Sequence, residues 1–367
     1  MRKILFRLLY FIPIPLMMMA VIYFSDQLNF FERGLISSIS EKLVKEGYAD
    51  GIAEELAKGH IVTNVSGCDD RLLQRQFISK MKKCPNTIVL GSSRVRFING
   101  NMVHDTSLIN SGVSSASLED LVAIYSLYEK RGCEIKEVII GVDPWILNDN
   151  NDLNSWRTLE SQYYNTCNEL FNSSKPTYPY LKPTPLRNLK ALFSYKYFTS
   201  SIQYLRKNIE KGYRITNKKE NEGLTILPNG TFIYSKKIRN STQDFIDMKA
   251  KRMAETDEGN SLSNYSKLSE RYTAIFTKFI EHIQSKKIKV TFYFPPFHPI
   301  VYHTIETQEK YKIALEAQSY FKKFAAVHQI EAIGDYDPKA NDLTSKDFAD
   351  GVHLYENGVA AIFRQGQ

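Results

Sequence analysis

The residues best able to do chemistry lie at two distant points of the chain. Gly91-Ser92-Ser93-Arg94 directly follows the apolar run Ile88-Val89-Leu90, and Asp350-Gly351-Val352-His353 stands near the end of the 367 residues. A hydroxyl, an imidazole and a carboxylate are the parts of a serine-nucleophile site. The hydroxyl attacks an acyl carbon, the imidazole takes its proton, and the carboxylate orients the ring. Ser93 is the expected nucleophile, His353 the base and Asp350 the orienting group. Singly the motifs are ordinary, because Gly-Ser-Ser and Asp-Gly are common turns. Their weight comes from their order and from the elements between them.

Those elements must carry both motifs to one place. From Thr87 onward strand patterns alternate with helical ones, which calls for an α/β fold with a mostly parallel, covered sheet. Strands are expected at 87–90, 107–110, 137–142, 289–294 and 330–333, and helices at 117–130, 269–285 and 306–328. Ser117 reads as an N-cap, with Glu119 and Asp120 in the first turn beside the positive helix end. Open parallel sheets hold ligands beyond the carboxyl ends of their strands. Four blocks would converge there: Ser93 after the first strand, Gly112 after the second, Asp143 after the third, and Asp350 with His353 after the last. The backbone N–H groups of Ser93 and Gly112 are the expected donors to a developing oxyanion.

The stretch from about 146 to 265 breaks this rhythm and is rich in Asn, Tyr, Lys and Pro. It is too long for an ordinary loop. It reads as a mostly helical insertion, with a helix around 189–209, overhanging the carboxyl edge as a lid or platform. Residues 25–85 read as a helical stalk that also packs on the domain, with Leu35, Ile36, Ile39 and Leu43 on one face. Ahead of it Arg2, Lys3 and Arg7 precede an uncharged run from Leu8 to Phe24. As a helix that run is ~25 Å long, near the lower limit for crossing a bilayer. Its basic flank would stay cytoplasmic and place the rest outside. An uncleaved anchor at 1–24 is the expectation. A cleaved signal peptide is the alternative, although no clear small-x-small cleavage site follows the run.

The net charge of +8 comes partly from clusters such as Lys218-Lys219, Lys236-Lys237 and Lys286-Lys287. They read as a solvated surface, with attraction to an anionic polymer as the alternative. Basic and aromatic residues are not interleaved as a nucleic-acid module requires, so no nucleic-acid partner is expected. Cys68, Cys84, Cys133 and Cys167 form no Cys-x-x-Cys pair, and no His-Glu-x-x-His spacing is present, so neither a metal nor another cofactor is expected. Cys84 and Cys133 each precede an expected strand. If those strands are parallel neighbours, the two thiols start at one sheet edge and a bridge between them is one hypothesis, with both thiols free as the alternative.

The ordered blocks resemble those of the SGNH/GDSL hydrolase superfamily over about residues 86–360, excluding the insertion. The resemblance implies a flavodoxin-like three-layer sandwich. It maps the nucleophile to Ser93, the second-block glycine to Gly112, and the final Asp-x-x-His block to Asp350 and His353. In one respect the chain departs from the family. Where the third block usually offers an Asn side chain to the oxyanion, this chain has Asp143. An ionised carboxylate only accepts hydrogen bonds. Asp143 is therefore held protonated, or orients Arg94 or a loop, or leaves the donation to another group. The anchored layout is also similar to proteins that D-alanylate teichoic acids and to O-acetyltransferase-like proteins of exopolysaccharide systems. Those similarities imply a cell-envelope glycan or its acyl ester as substrate, with a membrane acyltransferase as a partner. The expected function is an extracytoplasmic serine esterase or O-acyltransferase. The alternative is a non-catalytic factor that binds glycan or docks on such an acyltransferase. Arg94, Phe297 and His298 are the expected substrate-binding side chains, with Arg94 pairing to Asp143 as an equal alternative and His298 as a rival base.

Overall fold

The computed structural model describes residues 13–25, 46–171, 212–256 and 264–365, with isolated positions between 192 and 202 and residue 262. The strands in chain order are β1 (Ile61–Thr63), β2 (Thr87–Leu90), β3 (Ile109–Asn110), β4 (Glu137–Gly141), β5 (Arg214–Thr216), β6 (Thr225–Ile226), β7 (Phe232–Ile233), β8 (Lys289–Phe294) and β9 (Glu331–Gly334). The helices are α1 (Pro13–Ser25), α2 (Glu46–Ala57), α3 (Asp70–Lys80), α4 (Leu118–Lys130), α5 (Glu160–Leu170), α6 (Lys236–Arg239), α7 (Gln243–Thr256), α8 (Glu270–Ser285), α9 (Pro299–Thr307), α10 (Ile313–Val327) and α11 (Glu356–Gln365).

A five-stranded, wholly parallel sheet of order β3-β2-β4-β8-β9 forms the centre. Side chains alternate across it. Ile88, Leu90, Val138, Ile140, Phe292 and Phe294 enter one core with α4, α8 and α10, where Tyr125, Phe276, Phe279 and Phe321 are buried. Val89, Ile139, Tyr293 and Ile333 enter a smaller core with Val359, Ile362 and Phe363 of α11. Burial on both faces explains why the strands read as unbroken apolar runs rather than alternating ones.

The ends of the elements are set locally. Asp120 accepts the Ser117 N–H at 2.9 Å and completes a capping box at the start of α4. The same carboxylate takes a two-pronged hydrogen bond from buried Arg71 of α3, at 2.9 and 2.8 Å, which fastens α3 to α4. The helix expected at 306–328 is in fact two. Gln308 adopts extended backbone after α9, and the chain restarts as α10 with Tyr311 and Ile313 turned into the core.

The segment expected to be a mostly helical insertion also carries strands. Besides α5, α6 and α7 it contributes β5, β6 and β7, which join β1 in an antiparallel sheet of order β5-β1-β6-β7. Strands of two or three residues are too short to display a period of two, so composition alone hid them. This segment also covers the edge of the central sheet: Asn110 N–H donates to the Asn229 carbonyl at 2.8 Å. The expected helix around 189–209 and the stalk residues 26–45 lie outside the described residues, apart from isolated positions in the former. Residues from 46 onward pack on the domain, with Ile52, Leu56, Val62 and Phe77 in the main core. Of the apolar N-terminal run, residues 13–24 fall in α1 and residues 8–12 lie outside the described set. Among the described residues no helix is long and apolar enough to cross a membrane.

Cys84 and Cys133 are joined in a disulfide. β2 and β4 are parallel neighbours in register from Thr87 and Glu137, so the loops before them meet at the amino edge. Closing a loop of this length removes about 4 kcal/mol of chain entropy from the unfolded state. Denaturant titration of a Cys84→Ser/Cys133→Ser variant is expected to show a loss approaching that value. An unchanged midpoint would mean that the bridge contributes nothing.

Candidate active site

At the carboxyl edge of β2 the chain turns sharply through Gly91 and Ser92 into a 3-10 turn, Ser93–Val95. Ser92 caps that turn by accepting the Arg94 N–H at 3.2 Å. The turn sits tightly because three glycines make room for Val95. A Cβ on Gly91, Gly112 or Gly141 would fall 2.8, 2.7 or 2.3 Å from a Val95 methyl. Gly91 also has φ +152, a backbone conformation that side chains rarely adopt. Gly141→Ala should therefore push Val95 and its turn outward, costing about 1–3 kcal/mol by overpacking. Thermal unfolding would check this, and a neutral result would show that Val95 can relocate freely.

The turn presents half-buried Ser93 to the cleft. Its Oγ lies 2.7 Å from His353 Nε2, and His353 Nδ1 lies 2.9 and 3.0 Å from the two Asp350 oxygens. Asp350 also shapes the loop that carries the histidine. Its Oδ1 accepts the N–H groups of Val352 and His353, both at 3.0 Å, in the manner of an Asx turn. A Phe348–Leu354 bridge and the Ala349 N–H to His353 carbonyl bond at 2.8 Å close that loop. Burial opposes the Asp350 charge, but the imidazole and the two backbone N–H groups prevail and hold its pKa well below the usual carboxylate range. An ionised Asp350 can only accept, so Nδ1 carries the ring proton. Nε2 is then left with the lone pair that faces the Ser93 hydroxyl.

Around this line of three groups the structure corrects several expectations. Arg94, expected either to bind substrate or to pair with Asp143, is 4% exposed and spends its guanidinium on the protein. It pairs with Asp143 at 2.8 Å and donates to the carbonyls of Val352, Pro295 and Pro296. Phe297, expected to stack on substrate, is fully buried with its ring 4.1 Å from that guanidinium. His298 is also fully buried. Its Nδ1 accepts the Ile300 N–H at 3.2 Å at the start of α9, and its Nε2 lies 3.3 Å from Asp247. Burial pushes the His298 pKa down against the pull of Asp247. It is His353 that meets Ser93. The Phe297 and His298 N–H groups donate to the carbonyls of Tyr336 and Gly351 at 3.0 and 3.1 Å, which holds this segment inward, and that direction was not legible in its aromatic composition.

Two of the expected oxyanion groups, those of Gly112 and Asp143, are engaged within the protein. The Gly112 N–H donates to Asn110 Oδ1 at 3.0 Å. Asn110 is held in that orientation because its amide donates to the carbonyls of Val95 and Ile98 at 2.7 and 2.9 Å. The Asp143 carboxyl is buried against Arg94; burial raises its pKa and the arginine charge opposes the rise. The Ser93 N–H, at the first position of its turn, has no acceptor within that turn. Sequence reasoning missed Asn110 and the Arg71–Asp120 pair. A polar residue ending a strand was the only signal for Asn110, and nothing local foretold the second.

The insertion reaches this site through α7. Asp247 approaches His298, Gln243 donates to the Ser345 carbonyl at 3.2 Å, and the Met253 sulfur would lie 2.7 Å from a Cβ on Gly351. Among the described residues no group of three or more His, Cys, Asp or Glu side chains is placed to hold a metal ion.

Fold and site together define a mixed α/β protein with a parallel sheet and a serine–histidine–aspartate line at its carboxyl edge. The chain matches, over residues 9–363, the model of a family described as a protein of unknown function (DUF1574), and it belongs to that family. No curated protein matches it.

Proposed function

We propose that this protein is a serine-nucleophile acyl-transfer enzyme of SGNH/GDSL type. Ser93 attacks an ester carbonyl while His353 takes its proton, and Asp350 holds the ring. The acyl group then rests on Ser93 Oγ as the leaving alcohol takes the proton from His353. Water or a glycan hydroxyl resolves the acyl-enzyme, with His353 again as base. Both outcomes use the same residues, so esterase and O-acyltransferase share this mechanism.

The observation that carries the reading is the 2.7 Å contact between Ser93 Oγ and His353 Nε2, with Asp350 behind the ring. Hydrogen-bond distances of this kind are what proton transfer requires. Strand order supports the flavodoxin-like part of the reading. Counting only central strands, the order is the doubly wound 2-1-3-4-5, and Ser93 and Asp143 follow the two strands that flank its switch point. The Cys84–Cys133 bridge supports an oxidising compartment outside the cytoplasm. That agrees with an N-terminal anchor and with acyl esters of envelope polysaccharide as substrates.

A second reading has one specific observation in its favour. With the Gly112 N–H bound to Asn110 and Asp143 held by Arg94, the oxyanion site is poorer in donors than an efficient hydrolase needs. A non-catalytic factor that binds glycan or docks on a membrane acyltransferase would tolerate this. The two readings separate when the full chain, in detergent, meets a fluorophosphonate probe and short-chain p-nitrophenyl esters. Labelling confined to Ser93 supports the enzyme, and a folded protein that never labels supports the factor.

A further inference from the structure

We infer that Arg94 is the positioning residue of this site: its buried guanidinium sets the Ser93 turn against the His353 loop, and Asp143 is its counter-ion rather than an oxyanion donor. This rests on the nucleophile reading above. Arg94 is adjacent to Ser93 in one rigid turn, so the two side chains diverge, one to the cleft and one to the interior. Nε donates at 3.1 Å to the carbonyl of Val352, the residue before His353. Nη1 reaches Asp143 beyond β4, and Nη2 reaches Pro295 and Pro296 beyond β8. One planar group thus spans the loops after β2, β4, β8 and β9, including both that carry the reacting side chains.

The chemistry demands arginine. Four of its five N–H groups are used, in directions that only a flat fork provides. The ring of Phe297 lies against the guanidinium face at 4.1 Å, which suits a weakly hydrated cation. A lysine could satisfy Asp143 but not the three carbonyls as well. Asp143 neutralises the buried charge and stands where the resemblance places an amide donor. The chain has thus exchanged an oxyanion donor for the anchor of a clamp.

The decisive variant is Arg94→Gln/Asp143→Asn, which removes both buried charges together and so separates positioning from the penalty of an unpaired ion. Full-length protein labelled with ¹⁵N-histidine reports the Asp350-bound Nδ1 proton of His353, assigned with His353→Ala. Fluorophosphonate labelling reports the rate. The double variant is expected to fold, lose that proton signal and label at least ~100-fold more slowly, as misplacement of a reacting group by about 1 Å would cause. Should the double variant not fold, Arg94→Lys takes its place and is expected to label equally slowly. Asp143→Asn alone is expected to label more slowly than wild type. Wild-type labelling with an intact proton signal in the double variant, or in Arg94→Lys, would overturn the inference, as would faster labelling in Asp143→Asn. If the wild type does not label at all, the nucleophile reading falls, and the proton signal by itself decides the role of Arg94.

Discussion

Ser93→Ala is expected to abolish fluorophosphonate labelling and to lower ester turnover by about 10⁶-fold, and His353→Ala should do the same. The two losses should not multiply, because a hydroxyl without its base and a base without its hydroxyl fail at one step. Both side chains are half-buried, and each can exchange its lost hydrogen bond for water. The Ser93→Ala cost in stability should therefore stay within about 1 kcal/mol, whereas His353→Ala also strips Asp350 of its imidazole partner and should cost more. Parallel measurement of labelling and urea unfolding tests this. A folded Ser93→Ala protein that still labels would place the nucleophile elsewhere.

Asp350→Asn should be nearly as damaging, for a reason visible in its hydrogen bonds. Oδ1 is claimed by the N–H groups of Val352 and His353, so an asparagine would keep its oxygen there and turn its NH₂ toward the ring. Nδ1 would then have to accept, which puts the ring proton on Nε2 and removes the lone pair facing Ser93. A wrong tautomer of this kind costs about 10⁴-fold in a serine site. The substitution also changes the pH dependence of folding. The Asp350 pKa is lower folded than unfolded, so its charge stabilises the fold fully above the ordinary carboxylate range. That contribution is lost as pH falls from there through the depressed value. Wild type and Asp350→Asn should therefore differ most in stability near neutral pH and converge in strong acid. A gap that widens on acidification would refute the assignment of an ionised Asp350.

Local chemistry explains why parts of this protein could be read from its residues. Thr87–Leu90 and Lys289–Phe294 are strands because a sheet buried on both faces needs short apolar runs. Ser117 and Ser269 stand at helix starts because their hydroxyls suit the orphan N–H groups there. Asp350 binds the backbone two and three residues on, so the loop carrying His353 is almost self-contained. The order of strands, helices and turns then leaves few ways to close a parallel sheet, and that closure brings Ser93 to His353.

Other features depend on partners distant in sequence. Arg94, Phe297 and His298 look like exposed, ligand-seeking residues, yet each is buried. Their direction is set by Asp143, Tyr336 and Asp247, which arrive on other elements. The Gly112 N–H points to Asn110 only because that side chain is pinned by the Val95 and Ile98 carbonyls. β5, β6 and β7 exist only by pairing with each other and with β1, and their two or three residues carry no periodic signal of their own. The α/β alternation, the turn before Ser93 and the Asp350–His353 loop are legible in the residues alone, because those are set by contacts a few residues apart. Which polar groups face the cleft and which satisfy one another inside emerges only in the packed fold, because a buried charge or donor takes the nearest partner in space.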